Sequence, residues 1–564
     1  MCGILGFTNN LEIKNHNELL NHRGPDGFNS KIFKNFTIAN FRLAIIDIDC
    51  KISFPYENKD LILSFNGEIY NFKSLRKELI NKKYNFETNT DTEVFAKAYL
   101  EWGNECFKKM RGMFAALILI KKSNQLVLVR DTFGIKPLFY CIKNKKIIVS
   151  SEIKSIKKII KNHKINYNFI YKYLVHNKYC HNDETIYEDI KSVEPGTILN
   201  IDQKNLNINL VKFKTIDIHK NNSIKPKEAF EKFEFLFRRS INRCQISDYN
   251  INYGTFLSGG LDSSLISLYS QKYNKKKPTF FFHHKCEGYD IEYNFAKKIS
   301  SFAKVNLSKS ILLKMDFQNL LNYLSKVCDQ PYGGLNTVAS FQSFFLAKKN
   351  NIKVLFSGIG SDEIQYGYDY YDKKIKTHIS SPIQGTNFST KENLRNLFNW
   401  EEQRNLYSKN QTAKEMMLQD LFGSKLRRGL LFSDHIAMDQ SIEVRYPFLD
   451  IDLVNFCLSL NKKIHVKGGL SKYLSKKLLI KNYSKINLNL IRKKRPIQTP
   501  QTLWLKKYFF NEFLKQMSCN HFFKYNDFFK FKDIINYLKK DKTNLNNSVL
   551  LWKLISLNEW SKNL

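Results

Sequence analysis

The chain has 564 residues, 43% hydrophobic and 25% charged; this length exceeds a single core and makes two or more domains the expectation. No apolar run reaches the length of a membrane span, and the lack of a basic leader with an apolar core points to a cytoplasmic protein without a lipid-modified Cys2. The formal charge of +38 is spread along the chain, with only short patches such as NKKKP and RKKRP, so it reads as lysine-rich solvated faces that attract small anions, with no specific nucleic acid as partner.

Taken in chain order, residues 1 to about 200 read as strand-rich with a few helices. LILSFNGEIYNF predicts an apolar strand running into a polar turn, FAALILI and QLVLVRD a pair of buried strands, and KKIIVSSEIKSI another. DTEVFAKAYLEWG has helical spacing and an acidic start that suits the helix dipole. Residues 201–226 are polar, rich in asparagine and aspartate, and end in Pro226, as an inter-domain connection would. From 227 onward, amphipathic helices alternate with the short apolar strands YGTFL, PTFFF and KVLFS. That alternation predicts a parallel sheet with helices on both faces. Beyond 410 the pattern is mostly helical, including the last forty residues. The ten cysteines are scattered, with no C-x-x-C pair and no Cys/His cluster at zinc spacing, which suits reduced thiols.

The first candidate for chemistry is Cys2. Removal of the initiator methionine leaves its α-amine free, with an unperturbed pKa of about 7.7–8.0. Thiol and amine then share one residue, so the amine can serve as the thiol's general base without a histidine. Alone this signal is weak. It is followed in order by HRGPDG (His22–Gly27), FRLAIID (Phe41–Asp47), FNGEIYN (Phe65–Asn71), TNTDTEV (Thr88–Val94) and RDTFGIKPLFY (Arg130–Tyr140). Arg42 can clamp a carboxylate through two hydrogen bonds. Asp91 and Glu68 can hold an ammonium, and Asn66 with the Gly67 N–H can form an oxyanion hole. Taken singly, Arg42 and Asp91 are equally well read as surface ion pairs and NGE as a turn. The ordered set resembles the glutaminase domain of N-terminal-nucleophile (class II) glutamine amidotransferases, over residues 1 to about 190. The resemblance implies an α+β, four-layer αββα sandwich that hydrolyses L-glutamine to glutamate and ammonia. It makes Cys2 the nucleophile, lines the glutamine pocket with Arg42, Leu43, Ala44, Ile45, Ile46, Asn66, Gly67 and Glu68, and puts Asp91 on the substrate amine.

The second candidate is YGTFLSGGLDSS (Tyr253–Ser264), a strand, a glycine-rich turn and a helix start. Glycines let backbone N–H groups approach a phosphate, and the helix N-terminus adds a favourable dipole. No G-K-S/T follows, so this is not a Walker A loop; it resembles the pyrophosphate loop of ATP pyrophosphatases. A second such turn is LFSGIGSDE (Leu355–Glu363). Asp262 and Asp362 are the carboxylates suited to Mg²⁺, the alternative being N-cap duty at helix starts.

With IEVRYPFLD (Ile442–Asp450), GGLSKYLSKKLL (Gly468–Leu479) and LWKLISLNEW near the C-terminus, the chain resembles the glutamine-hydrolysing asparagine synthetase family over nearly its whole length. The implied organisation is a glutaminase domain over 1–200, a connection over 201–226 and an α/β ATP-pyrophosphatase domain with a helical C-terminal part over 227–564. Leu257, Ser258, Gly259, Gly260, Asp262, Ser263, Ser264, Phe282, Ser357 and Gly358 are the implied ATP contacts, and Lys472 the catalytic lysine facing the phosphates. The implied reaction is ATP-dependent amidation of a small carboxylate acceptor through an acyl-adenylate, with ammonia from glutamine. L-Aspartate is the first acceptor, giving L-asparagine, AMP, pyrophosphate and glutamate, and a homodimer is among the assemblies allowed. Ile359 stands where the family has an acid, which predicts weak activity on aspartate. QPYGGLNT (Gln330–Thr337) departs from aspartate-using enzymes, while YGYDYY (Tyr366–Tyr371) and RKKRPIQTPQTLWL (Arg492–Leu505) resemble asparagine synthetase-like proteins of surface-polysaccharide gene sets, so a sugar (uronic) acid is the second reading. A tRNA-modifying or nucleic acid-binding protein is the third; it predicts a sulfur-transfer cysteine pair or an RNA-binding appendage, and the sequence displays neither.

Overall fold

The computed structural model describes residues 2–9, 16–50, 52, 54–179, 182–213, 216, 223–273, 279–286, 291–312, 317–371, 395–399, 412–484, 500–540 and 545–564. In the first half the strands are β1 (Gly3–Thr8), β2 (Gly27–Phe33), β3 (Phe36–Arg42), β4 (Tyr56–Glu57), β5 (Leu61–Ile69), β6 (Gly112–Ile120), β7 (Gln125–Arg130), β8 (Phe139–Lys143), β9 (Lys146–Ser150), β10 (Ile190–Ser192), β11 (Thr197–Asp202) and β12 (Ile208–Lys212). They form two antiparallel sheets, ordered β10-β8-β9-β1-β3-β2 and β12-β11-β7-β6-β5-β4.

The inner faces of the two sheets meet through Ile4, Ile38 and Val149 on one side and Ala115, Leu117 and Leu128 on the other. Helices Phe72–Asn81 and Asp91–Trp102 bury Leu75, Leu79, Val94 and Phe95 against the outer face carrying Phe65 and Phe114. Helices Ile153–Ile159 and Tyr167–His176 cover the other outer face around Leu5 and Ile148. This is the expected αββα sandwich. With both faces of β6 covered, its middle is buried at every position, which explains the unbroken apolar run FAALILI.

Two local expectations differ from the structure. NGE is not a turn: β5 continues through Asn66, Gly67 and Glu68 to Ile69, paired with β6 as far as Gly112. Gly67 has φ 150, and a Cβ there would lie 2.0 Å from the Met113 carbonyl oxygen, so only glycine permits this approach of β5 to β6. Nor does the second sheet stop at 200. β11 runs to Asp202, and β12 pairs along its length within the stretch expected to be a connection. β12 is an edge strand that is mostly exposed, so its polar composition resembles a loop.

The second half contains β13 (Tyr253–Phe256), β14 (Thr279–Cys286), β15 (Leu307–Leu312), β16 (Val354–Phe356) and β17 (Glu443–Arg445). All pair in parallel, in the order β15-β14-β13-β16-β17. Helix Pro226–Cys244 leads in, with proline at its first turn, where the missing N–H costs nothing. After residue 412 the described chain is helical apart from β17 and short turns. No helix among the described residues is long and apolar enough to cross a membrane. NKKKP and most of RKKRPIQTPQTLWL lie outside the described residues.

Buried polar contacts join the halves. In the C-terminal helix Leu545–Ser561, Lys553 Nζ donates to the Leu174 carbonyl at 2.9 Å, and Asp329 of the second half accepts from the Ile153 N–H at 2.7 Å. The fully buried guanidinium of Arg23 pairs with Glu152 and with Asp434 on helix Ser424–Met438, both at 2.8 Å. Removing one partner of a buried pair strands the others in a low-dielectric site, at about 3–5 kcal/mol. Arg23→Met is therefore expected to lower the urea midpoint of unfolding by an amount corresponding to that range. An unchanged midpoint would show that the halves do not depend on this cluster.

Candidate functional site

Cys2 precedes β1, and its backbone nitrogen donates to Asn66 Oδ1 at 3.1 Å. The other end of that amide, Asn66 Nδ2, is buried without a hydrogen-bond partner. Burial pushes the Cys2 thiol up, while the N-terminal ammonium, a hydrogen bond from the Leu43 backbone and Arg42 work in the opposite direction. Around Cys2 opens a pocket lined by Arg42, Leu43, Ala44, Ile45, Ile46, Gly67, Glu68 and Asp91, among others. Of the residues expected there, all but Asn66 line the pocket, and Asn66 is joined to it through the Cys2 N–H.

Arg42, at the end of β3, donates to the Asp47 carbonyl at 2.5 Å and to that of Ile46 at 3.4 Å, and its guanidinium lies 5.2 Å from the Phe54 ring. It is a loop anchor as well as a cation in the pocket. Asp91 opens helix Asp91–Trp102, with Thr90 as N-cap, and accepts from the Ile69 N–H at 2.9 Å. Burial raises Asp91 to about 6, against the opposing pull of that N–H. Glu68 is raised well above the carboxylate range, first by burial and then by Asp91 and Glu443. Phe54, Thr90 and Thr92 also line the pocket; Phe54 sits in no motif, whereas Thr90 and Thr92 flank Asp91 in TNTDTEV and could have been inferred from it.

The two glycine-rich turns lie side by side at the ends of β13 and β16. Ser258 N–H donates to Ser263 Oγ at 3.2 Å, and Gly259 has φ 75, which shapes the turn before helix Leu261–Tyr273. Any Cβ on Gly358 would sit 3.1 Å from Asp262 Cβ, so the second turn packs directly on the first. Ser361 Oγ donates to Asp262 Oδ1 at 2.7 Å. Lys472 Nζ bridges Asp262 at 2.5 Å and Asp362 at 2.7 Å. Burial works against the Lys472 charge, but these carboxylates outweigh it and hold its pKa above the usual lysine range. Leu257 is fully buried in the core at the end of β13. The Ser264 hydroxyl is buried and unpaired. Ser357 donates its N–H to the Arg445 carbonyl at 2.9 Å. Phe282 stands on β14 opposite Phe256 of β13, one strand away from the turn.

Asp262 and Asp362 converge on one point, which the Lys472 ammonium now holds. Their hard oxygen donors fit Mg²⁺ in type. A different acid–thiol group, Cys141, His163 and Asp189, is drawn together by β8 and its neighbours. Both ring nitrogens of His163 are engaged there, by Asp189 at 2.9 Å and the Ile160 carbonyl at 2.8 Å, so the histidine is already committed to hydrogen bonds within the fold.

The departing positions are also visible. Ile359 is half-buried and packs on the core. Glu363 is buried and accepts from Tyr368 OH at 2.8 Å; burial and Asp362 raise its pKa. Tyr368 and Tyr370 stack at 5.2 Å, and Lys425 Nζ lies 3.1 Å from the Tyr368 ring centre.

Residues 1–213 match the family model of a glutamine amidotransferase domain, and residues 232–562 match that of asparagine synthase. The glutamine-hydrolyzing asparagine synthetase 1 of Bacillus subtilis (strain 168) is 27% identical, over 99% of this chain and 96% of its own length. A putative glutamine-hydrolyzing asparagine synthetase 2 of Methanocaldococcus jannaschii is 30% identical, over 65% of this chain and 76% of its own.

Gly367 was not singled out by the sequence, yet a Cβ there would meet Asp362 Oδ1 at 2.0 Å and Lys472 Cε at 2.6 Å. Gly367→Ala must push the lysine and carboxylate apart, at about 1–3 kcal/mol of overpacking. The expected outcome is loss of ATP binding in equilibrium dialysis with glutamine hydrolysis retained; undiminished ATP binding would detach this triad from the nucleotide site.

Proposed function

The chain belongs to the asparagine synthase family, whose glutamine-dependent carbon–nitrogen ligation it shares, and on that premise we propose that it amidates L-aspartate to L-asparagine by way of an aspartyl-adenylate. The observation that carries the two-site reading is Arg445. Its side chain reaches Glu68 of the Cys2 pocket at 3.5 Å, while its carbonyl holds Ser357 of the second glycine-rich turn.

In the glutaminase step the processed α-amine of Cys2 takes the thiol proton and the thiolate attacks the glutamine carboxamide; the C–N bond then breaks as the α-ammonium returns that proton to the leaving ammonia, and water cleaves the resulting thioester to glutamate. The unpaired Asn66 amide and the Gly67 N–H receive the oxyanion. Asp91, ionised above about pH 6, and Glu68 hold the substrate ammonium, while Arg42 turns from its loop carbonyls to the substrate carboxylate. In the synthetase step the acceptor carboxylate attacks the α-phosphate of ATP, and the bond to the β-phosphate breaks with its electron pair leaving on pyrophosphate. Asp262 and Asp362 would hold Mg²⁺, which when bound supplies charge neutralisation on the phosphates. Lys472 then faces the departing pyrophosphate. Ammonia displaces AMP from the adenylate, and it must cross between the sites before taking up a proton, through an enclosed passage at the interface.

A sugar (uronic) acid is the second acceptor reading, favoured by Ile359. Its branched apolar surface cannot pair an ammonium or take a proton from ammonia, and it packs more readily against a ring face. Glu363, buried and already bonded by Tyr368, is poorly placed to substitute for the missing acid.

Cys2→Ala is expected to abolish glutamine-dependent amidation and leave ammonium-dependent amidation intact; equal loss of both would break the two-site reading. An acceptor panel read by pyrophosphate release is expected to show turnover with aspartate below the ordinary range of about 1–10 s⁻¹, not lowered by Ile359→Glu. Release with uronic acids and none with aspartate would establish the second reading instead.

A further inference from the structure

Helix Tyr473–Asn482 begins immediately after Lys472 and carries three more lysines, Lys476, Lys477 and Lys481. Two of them are accounted for. Lys477 rests 4.4 Å from the Phe230 ring, and Lys481 pairs with Glu234 at 2.7 Å, both toward helix Pro226–Cys244. Lys476 differs. It lies four residues after Lys472 and so on the same helix face. It is half-buried, and its ammonium has no hydrogen-bond or ion-pair partner among the described residues.

The charges that Lys476 feels locate it. Burial first and then repulsion from Lys472 push its pKa down to about 8, against the opposing attraction of Asp262. A cation kept half-buried beside another cation, with no carboxylate of its own, is unfavourable in the empty protein. An anion arriving at this end of the helix relieves that cost. The anion-binding elements adjoining Asp262 are the Ser258–Ser264 turn and the unpaired Ser264 hydroxyl.

We propose that Lys476 is a second polyphosphate-binding cation, contacting the β- and γ-phosphates of ATP and the pyrophosphate that leaves, beside Lys472. This rests on reading the glycine-rich turns as the ATP site. As the α–β phosphoanhydride bond breaks, the electron pair and negative charge move onto pyrophosphate, and Lys476 meets that charge from the helix side. Lys472 cannot meet it alone while two carboxylates hold its ammonium.

The test is calorimetric titration of the full chain with magnesium pyrophosphate at constant ionic strength, with glutamine hydrolysis as the folding check. Lys476→Met, which keeps the aliphatic stem, and Lys476→Gln, which packs differently, are both expected to weaken binding by about 10- to 100-fold, as for loss of a charge-assisted hydrogen bond. Lys476→Arg keeps the charge and should bind within about threefold of the wild type. Lys477→Met, one residue on and turned away, should stay within about twofold, because solvent screens a mere change of net charge. Wild-type affinity in both Lys476→Met and Lys476→Gln overturns the proposal, as does an equal loss in Lys477→Met. If the wild type, active in glutamine hydrolysis, binds no pyrophosphate, the reading of the turns falls and takes the proposal with it.

Discussion

The buried guanidinium of Arg445, which draws carboxylates and carbonyls from both halves of the chain, ties this protein together. The side chain donates to Glu443 at 2.5 Å, to the Cys244 carbonyl at 2.7 Å and to the Ile246 carbonyl at 2.6 Å, and it reaches Glu68 across the interface. Burial opposes its charge, but Glu443 and Glu68 more than compensate and raise its pKa. Its main chain belongs to β17, beside β16 and the second glycine-rich turn. Any shift of β17 therefore moves both the wall of the Cys2 pocket and the turn carrying Ser357. Such coupling needs no long pathway, since one residue touches both places.

The Cys2 pocket is lined by the first half of the chain and braced by the second. Its loop Leu43–Ile48 is held from the second half by Asp248, which accepts from Ile48 N–H at 2.8 Å and donates to the Ile45 carbonyl at 2.9 Å. Asp26 supports the same loop by accepting from Ala44 N–H at 2.8 Å, and it pairs with Lys353 of the second half, also at 2.8 Å. The carboxylates around the pocket divide by neighbourhood. Glu68 and Asp91 are raised by burial, whereas Arg445 overcomes burial at Glu443 and keeps it down at about 2. One buried arginine thus holds down one carboxylate of the cluster while burial pushes the other two up.

At the other site, Lys472 adopts the left-handed conformation, with φ 54, at the start of its helix. That conformation is uncommon for a residue with a side chain. It is held here by the two carboxylates on the ammonium and by the Lys472 N–H, which donates to the Gln365 carbonyl at 3.3 Å. The closeness of Gly367 to the same groups leaves no room for a Cβ, so the triad is a packed unit.

Periodicity and local chemistry were sufficient for much of this protein. Apolar runs such as FAALILI announce strands buried on both faces, and strand–glycine–helix passages such as YGTFLSGGLDSS carry their geometry with them, because φ freedom and helix N-termini are local properties. The lining of the Cys2 pocket from Arg42 to Ile46 and from Asn66 to Glu68 was legible for the same reason: those residues form contiguous stretches with recognisable roles. Tertiary structure decided what depends on partners distant in the chain. NGE became strand because β6 pairs with it, and β12 became strand because β11 does, although each stretch alone has turn or loop composition. Phe54 entered the pocket, Gly367 became indispensable and Lys476 was left without a partner only because segments that are not neighbours in the chain were folded against one another. Local free-energy preferences are written residue by residue, whereas the burial of a charge and the space left for a side chain are set by whatever packs against it.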